Sequence, residues 1–246
     1  MGYKALMNCF RLRTIIFEEG SNLTSLSENL FTSTSIRTFE IPEKVTEVHG
    51  LAFDDGRLSS ITVHPKNTYL KVVNNSVFSA NMSVLYFLCK KPTIAFEIPE
   101  NVTTLGVSLL QGSTIKSITF SNTLTTIRSS CFYRTQIISI VVPECVKRIE
   151  GQAFFSCKNL VNVSFLGALD YIGTQIFDYC SNLELIVFPN TSMIVNALSF
   201  CTVDTPKIKM NFTHKTRFSY NAIIRLRGEI LRFTNTTKYV LLELLQ

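Results

Sequence analysis

Repetition restricts this chain more than anything else in it. Residues 149–160 read IEGQAFFSCKNL, and residues 172–183 read IGTQIFDYCSNL, a near-copy 23 residues on. The phenylalanine of the phrase recurs at Phe31, Phe53, Phe132, Phe154, Phe177 and Phe200, with Leu110 in its place once. Eight residues before it stands an apolar residue (Leu23, Val45, Val102, Leu124, Val146, Leu169), and five before it another (Leu26, Val48, Leu105, Ile127, Ile149, Ile172). After it come Ile36, Leu58, Ile115, Ile137, Leu160 and Leu183, each followed by an alternating apolar pair such as Ile140/Val142 or Val163/Phe165. The unit reads V-x-x-I-x-x-x-A-F-x-x-C-x-x-L-x-x-I-x-F and returns every 22 or 23 residues. Self-similarity at that period marks a stack of like units.

Each part of the unit has a physical reading. L-x-x-I-x-F ends in period-2 alternation and is rich in β-branched and aromatic residues, which predicts a strand with one buried face. Pro42, Pro99, Pro143 and Pro189 follow such strands and stop them, because proline has no N–H for a ladder. A-F-x-x-C is too short for a regular helix, so a helical or 3-10 turn is expected on the opposite side of the coil. One unit alone cannot bury its apolar face, whereas stacking joins the rows into a core. Strands then pair in parallel about 4.7–4.9 Å apart, and about eight coils would span roughly 40 Å.

The position three after the phenylalanine tests this arrangement. It holds Thr34, Gly56, Ser113, Thr135, Cys157, Cys180 and Val203, all small enough for a tight interior site. Neighbouring coils would bring Cys157 and Cys180 within the Cα separation a disulfide allows. Stacked side chains point the same way, however, and free thiols are the preferred reading. The seven cysteines include no C-x-x-C and no Cys/His spacing suited to zinc.

The core A-F-x-x-C-x-x-L, carried by Ala153, Phe154, Cys157 and Leu160 and again by Phe177, Cys180 and Leu183, resembles the BspA-like class of leucine-rich repeats. The resemblance covers residues from about 12 to 212. It implies a curved leucine-rich-repeat solenoid, β-dominated α/β, with a parallel β-sheet on the concave side and short strands and turns on the other. It also implies a surface protein of mucosal bacteria or protists that adheres to host cells or matrix. The middle departs from the pattern: Val45 to Val102 is 57 residues, neither two nor three units. The stretch NTYLKVVNNSVFSANMSVLYFLCKKP flanks Asn/Ser-rich turns with apolar runs, which predicts a β-hairpin or small meander near 66–90 within an irregular insert of about 64–95. The chain divides into a solenoid over 1–212 and a basic C-terminal capping segment over 213–246.

At the start, Leu6 and Met7 fall where A-F stands in other units, ahead of a strand with Leu12, Ile15 and Phe17. An array that begins mid-coil exposes an apolar end. Residues 3–10 are expected to fold over as an improvised cap; the alternative is self-association through the uncapped end. MGYKALMNCFRLR shows neither the apolar run nor the small-residue cleavage site of a signal peptide. No run approaches the roughly 20 apolar residues that a membrane-spanning helix needs.

The formal net charge is +6, concentrated at one end. Lys207, Lys209, Lys215, Arg217, Arg225 and Arg227, with Arg232 and Lys238, face only Glu229. That segment is read either as the solvated face of a cap or as a contact for an anionic glycan, phospholipid headgroups or an acidic partner. A nucleic-acid partner is not expected, since the basic residues form no stripe along the repeats. SYNAIIRLRGEILRF is predicted as a short helix with Ser219 as its N-cap. His49, His64 and His214 are scattered, and no phosphate loop, nucleophile elbow or H-E-x-x-H occurs, so neither enzymatic activity nor a cofactor is expected.

Function is therefore sought on the outward positions of the strands. These are small, hydroxylated and uncharged, turning apolar toward the C-terminal coils, where Ser139, Val141, Asn162, Ser164, Leu185 and Val187 are the candidate partner-binding residues. Asn-X-Ser/Thr triplets begin at Asn22, Asn74, Asn81, Asn101, Asn162, Asn190, Asn211 and Asn235, and a surface protein can carry glycans there. Two functional readings stand. One is a non-enzymatic, adhesin-like module at the cell surface or outside the cell, whose partner is a protein or glycan macromolecule. The other is a cytoplasmic scaffold, or a truncated family copy without a binding function of its own.

Overall fold

Where the unit alternates, the backbone is extended. A computed structural model describes residues 2–54 and 57–189 with their side chains, and beyond them the backbone of strands Met193–Val195, Phe200–Val203, Lys209–Asn211, Thr216–Phe218, Ala222–Leu226 and Glu229–Phe233. Thr38–Ile41 and Ser139–Val142 both run exposed, buried, exposed, buried, as the sequence pattern requires. Successive strands pair in parallel and in phase. Thr38–Ile41 lies beside Ser60–Val63, and Ser139–Val142 beside Asn162–Phe165, which in turn pairs with Leu185–Val187. This is a leucine-rich-repeat solenoid. It divides into two compact units: Met1–Lys91 with Asn101–Leu109, and Pro92–Glu100 with Leu110–Gln246.

In the first unit, Phe31 and Phe53 stack with ring centroids 4.8 Å apart, and Phe39 closes on both. Around them Leu26, Ile36, Ile41, Val45, Val48 and Ile61 are buried. The expected insert is present: Leu70–Val73, Ser76–Ser79 and Val84–Leu88 form an antiparallel meander. Its first turn is left-handed at both Asn74 (φ 49°) and Asn75 (φ 56°), the backbone that a two-residue hairpin loop demands. Asn67 fastens the entry to the insert. Its Nδ2 donates to the carbonyls of Pro42 (2.8 Å) and Val45 (2.9 Å), while its Oδ1 accepts from the N–H of Tyr69 and Leu70. Phe87 returns from the insert to pack on Phe53 at 5.7 Å. The long Val45–Val102 interval is thus a looped-out meander, behind which the Gly50 N–H meets the Val107 carbonyl at 3.1 Å.

The N-terminal expectation needs correcting. Residues 3–8 are not an improvised cap but the turn of a further coil. The Leu6 N–H donates to the Leu30 carbonyl and the Asn8 N–H to the Thr32 carbonyl, as in later coils. Ala5 and Leu6, not Leu6 and Met7, occupy the A-F positions. Tyr3 and Phe10 seal nothing: they are 58% and 61% exposed.

In the second unit, Phe132, Phe154 and Phe177 form one stacked file, with centroid separations of 5.0 and 5.5 Å and rings within 9° of parallel. The small-residue column lies beside it, where the Cys157 thiol donates to the Phe132 carbonyl (3.0 Å) and the Cys180 thiol to the Phe154 carbonyl (3.1 Å). Stacking of like residues thus gives both thiols of this column a main-chain acceptor one coil back.

The A-F-x-x-C segments are neither helical nor 3-10 among the described residues; they are turns. Two positions on either side of the phenylalanine column the backbone is left-handed: Asn29/Ser33, Ser130/Arg134, Gln152/Ser156 and Gln175/Tyr179, with φ between 55° and 60°. Alternate N–H groups consequently point to the next coil instead of back along the chain. Ser130, Phe132 and Arg134 donate to the carbonyls of Gly151, Ala153 and Phe155 at 3.1, 2.8 and 2.8 Å. A helix would keep those donors to itself; this geometry makes a second ladder that cross-links the coils. Ser130→Val is therefore expected to lower stability by about 1–2 kcal/mol, since a β-branched residue fits the left-handed region poorly. Ser130→Gly should leave stability unchanged or raise it. Urea unfolding midpoints of the two variants decide the matter.

The C-terminal helix expectation is also overturned. Ala222–Leu226 and Glu229–Phe233 are antiparallel strands, Ile224 opposite Leu231. Adjacent isoleucines and the alternation in EILRF favour strand, and the separation by Arg227 and Gly228 has the length of a hairpin loop.

Candidate functional site

Strand alternation places the six candidate residues in two columns on one face. Ser139, Asn162 and Leu185 are register partners across three strands, and so are Val141, Ser164 and Val187. Their counterparts on the opposite face (Ile140, Val142, Val163, Phe165 and Ile186) are buried in the core, which holds the outward columns in place. Ser139, Val141 and Asn162 are exposed, whereas Ser164, Leu185 and Val187 are half-buried. The register continues: Lys209 pairs with Leu185, and Asn211 with Val187. One residue of the basic segment is thereby set at the edge of the candidate face. Arg217 and Arg225 lie on strands Thr216–Phe218 and Ala222–Leu226, while Lys207, Lys215 and Arg227 lie outside the described residues.

The structure adds residues that pattern reading passed over. Val141 (54% exposed) puts apolar surface on this face, and Ile138 (48%) and Leu166 (51%) are exposed at the ends of its strands. Ile138 stands one place before its strand, and Leu166 one place after its own, so alternation did not count them. A signal existed, because the positions equivalent to Ile138 in other coils include Arg37, Ser59, Lys116 and Glu184. A large aliphatic residue where the fold tolerates charge is not there for the core.

The first unit offers a different surface. A groove of about 460 Å³ is lined by Ile15, Ile16, Phe17, Glu18, Glu19, Gly20, Ser21, Glu40, Pro42, Glu43 and His64. Its carboxylates are solvated, and Glu19 pairs with Lys66 at 2.6 Å, both well exposed. Exposed pairs of this kind contribute little.

His64 accepts from the Lys66 N–H through Nδ1, His49 likewise from the Leu51 N–H at 3.1 Å, and His214 lies outside the described residues. Burial pushes the Cys89 thiol up to about 12 and holds the Cys180 thiol well above its ordinary range. Among the described residues no cluster of His, Cys, Asp or Glu is suited to a metal ion, and no helix is long and apolar enough to cross a membrane.

His49 carries one pH consequence. Burial holds its pKa below the ordinary 6.5, helped by Lys91 and opposed by Glu28 and Glu47. Between the folded value and 6.5 the unfolded chain binds more protons, so this contribution is complete above pH 6.5 and declines as pH falls below it. The urea midpoint should drop between about pH 7.5 and about pH 5, and His49→Gln should reduce that drop.

A family model described as a BspA type leucine rich repeat region matches residues 1–85 and 83–205, in six copies. Among solved structures, a leucine-rich repeat protein from Eubacterium ventriosum superposes with a TM-score of 0.64 at 20% identity, over 92% of this chain and 66% of that one. The pneumococcal vaccine antigen PcpA superposes with a TM-score of 0.63 at 17% identity, over 85% of this chain and 59% of that one. This chain therefore spans less than two thirds of the length of either, and at such identity the likeness is one of fold. No curated protein matches the sequence.

Proposed function

The chain belongs to the BspA-type leucine-rich repeat family, and from that premise we propose that it is a non-enzymatic, adhesin-like binding module of the cell surface. Its partner is a protein or glycan of a host cell or matrix, met by the outward face of strands Ser139–Val142, Asn162–Phe165 and Leu185–Val187. One observation carries this reading: exposed Val141 lies among small polar residues on a face whose other side is fully committed to the core, and Ile138 and Leu166, just outside their strands, are exposed as well. Such a face lacks the Tyr, Trp and Arg anchors of high-affinity interfaces and suits broad, repeated, individually weak contacts. The basic residues Lys207, Lys209, Lys215, Arg217, Arg225 and Arg227 extend it toward anionic partners, Lys209 by its register beside Leu185.

Two experiments test the proposal. Antibody staining of unpermeabilised cells should label them; staining only after permeabilisation would favour the intracellular scaffold. Charge placed at Ser164 and Val187 together (Ser164→Glu with Val187→Glu) should weaken attachment to host cells or matrix at least about tenfold, equivalent to about 1.4 kcal/mol. The circular dichroism spectrum should stay unchanged. Undiminished attachment by a folded double variant removes this face from the reading.

A further inference from the structure

Eight of the 17 asparagines begin an Asn-X-Ser/Thr triplet, although Ser and Thr together are only 49 of 246 residues. Random placement would give about three or four such triplets. The structure sorts them further. All five acceptors with described side chains (Asn22, Asn74, Asn81, Asn101 and Asn162) are exposed.

Exposure alone does not single them out, since Asn122, Asn159 and Asn182 are exposed and begin no triplet. The amide nitrogen is more telling. Asn29, Asn67 and Asn75, also outside triplets, spend Nδ2 on the fold: Asn29 on Glu28, Asn67 on Pro42 and Val45, Asn75 on Ser59. Asn22 and Asn81 engage only Oδ1. That oxygen accepts from the Lys44 ammonium at 2.8 Å in Asn22, and from the hydroxyls of Ser79 (2.7 Å) and Ser83 (2.8 Å) in Asn81. Asn74 and Asn81 sit in the two turns of the meander, and Asn22 and Asn101 each precede a buried anchor of their coil, Leu23 and Val102. None of the four lies on a strand. Asn162 does, on the outward face between Ser139 and Leu185.

We propose that Asn22, Asn74, Asn81 and Asn101 are sites of N-linked glycosylation, and that Asn162 is left bare so that the strand face stays open. The co-reactant is a lipid-pyrophosphoryl oligosaccharide. The asparagine Nδ2 forms a bond to the anomeric carbon of its first sugar. The bond from that carbon to the pyrophosphate breaks, the lipid pyrophosphate departs with the electron pair, and the amide gives up one proton. Glycans at the four positions clothe the meander and the coil edges of the first unit. The proposal rests on the surface reading for one step only, entry into the secretory compartment where the transfer takes place, and not for arrival at the surface.

Native protein isolated from its own cells is treated with peptide-N-glycosidase in heavy-oxygen water, which converts each glycosylated asparagine to an aspartate carrying the heavy label. Peptide mass spectrometry should find labelled aspartate at positions 22, 74, 81 and 101 and unlabelled Asn162. The Asn81→Gln variant, returned to the same cells, should gain one step of gel mobility. Label at none of the four positions, or label at 162, overturns the proposal. Staining of unpermeabilised cells is run alongside and separates the two readings. Stained cells without label sink the glycans and leave the surface module standing. Label without staining supports the glycans and sinks the surface module.

Discussion

Phe154→Ala is expected to lower the free energy of unfolding by about 3–5 kcal/mol. Phe154 is fully buried, with Phe132 stacked on one side at 5.0 Å and Phe177 on the other at 5.5 Å. Truncation removes the ring from both stacks and leaves a void between coils that main-chain ladders hold at fixed spacing. The Phe154 N–H reaches the Ile176 carbonyl, and the Phe154 carbonyl accepts from Cys180, so neither neighbour can slide in to fill it. The site cannot collapse, which is the condition for the upper end of the range. Leucine already serves in this column at Leu110, which is also fully buried, so Phe154→Leu should cost only about 1–1.5 kcal/mol. The chain has no tryptophan, and circular dichroism in urea is the suitable measurement. If the alanine variant is no worse than the leucine variant, the file of rings is not what holds these coils together.

The same file shows why the fold could be read from the sequence. Each apolar column repeats in register, and stacking was the arrangement that buried every column at once. The meander was readable for the same reason, since two apolar runs around Asn74 and Asn75 have few other ways to pair. The left-handed turn positions were not readable. Asn29, Ser33 and Ser130 hint at them, but Arg134, Gln152 and Tyr179 adopt the same φ against their own preference, Arg134 and Gln152 held by hydrogen bonds to the next coil. A constraint of tertiary origin leaves no consistent residue type in the column. The candidate face was half readable. Alternation identified Ser139, Val141, Asn162, Ser164, Leu185 and Val187, but Ile138 and Leu166 flank the strands where alternation has no jurisdiction. The C-terminal helix failed because Ser219 and a run of apolar and basic residues suit either period, and pairing with a second strand decided between them.

Glycines are the last clue, and they support the second large expectation: Gly173→Ala should cost about 2–3 kcal/mol while its near neighbour Gly151→Ala costs little. Both follow the apolar residue five before the phenylalanine, Gly173 by one place and Gly151 by two, so sequence alone ranks them together. Space separates them. A Cβ on Gly173 would lie 2.4 Å from the Gly151 nitrogen and 2.7 Å from the Glu150 carbonyl carbon, main-chain atoms that no rotamer can move. A Cβ on Gly151 would come no nearer than 3.4 Å to the Thr174 carbonyl oxygen. To admit the first methyl the coils must part where the Gly173 N–H meets the Ile149 carbonyl at 2.8 Å, and lengthening that bond loosens the rungs on either side. Gly50 is a parallel case, since its Cβ would meet the Ser108 carbonyl at 2.5 Å behind the insert, and Gly50→Ala should be similarly costly. Urea midpoints for the three alanine variants give the comparison. Equal and small losses at positions 50, 151 and 173 would mean that the coils do not lie this close, and the in-phase register of the candidate face would lose its support with them.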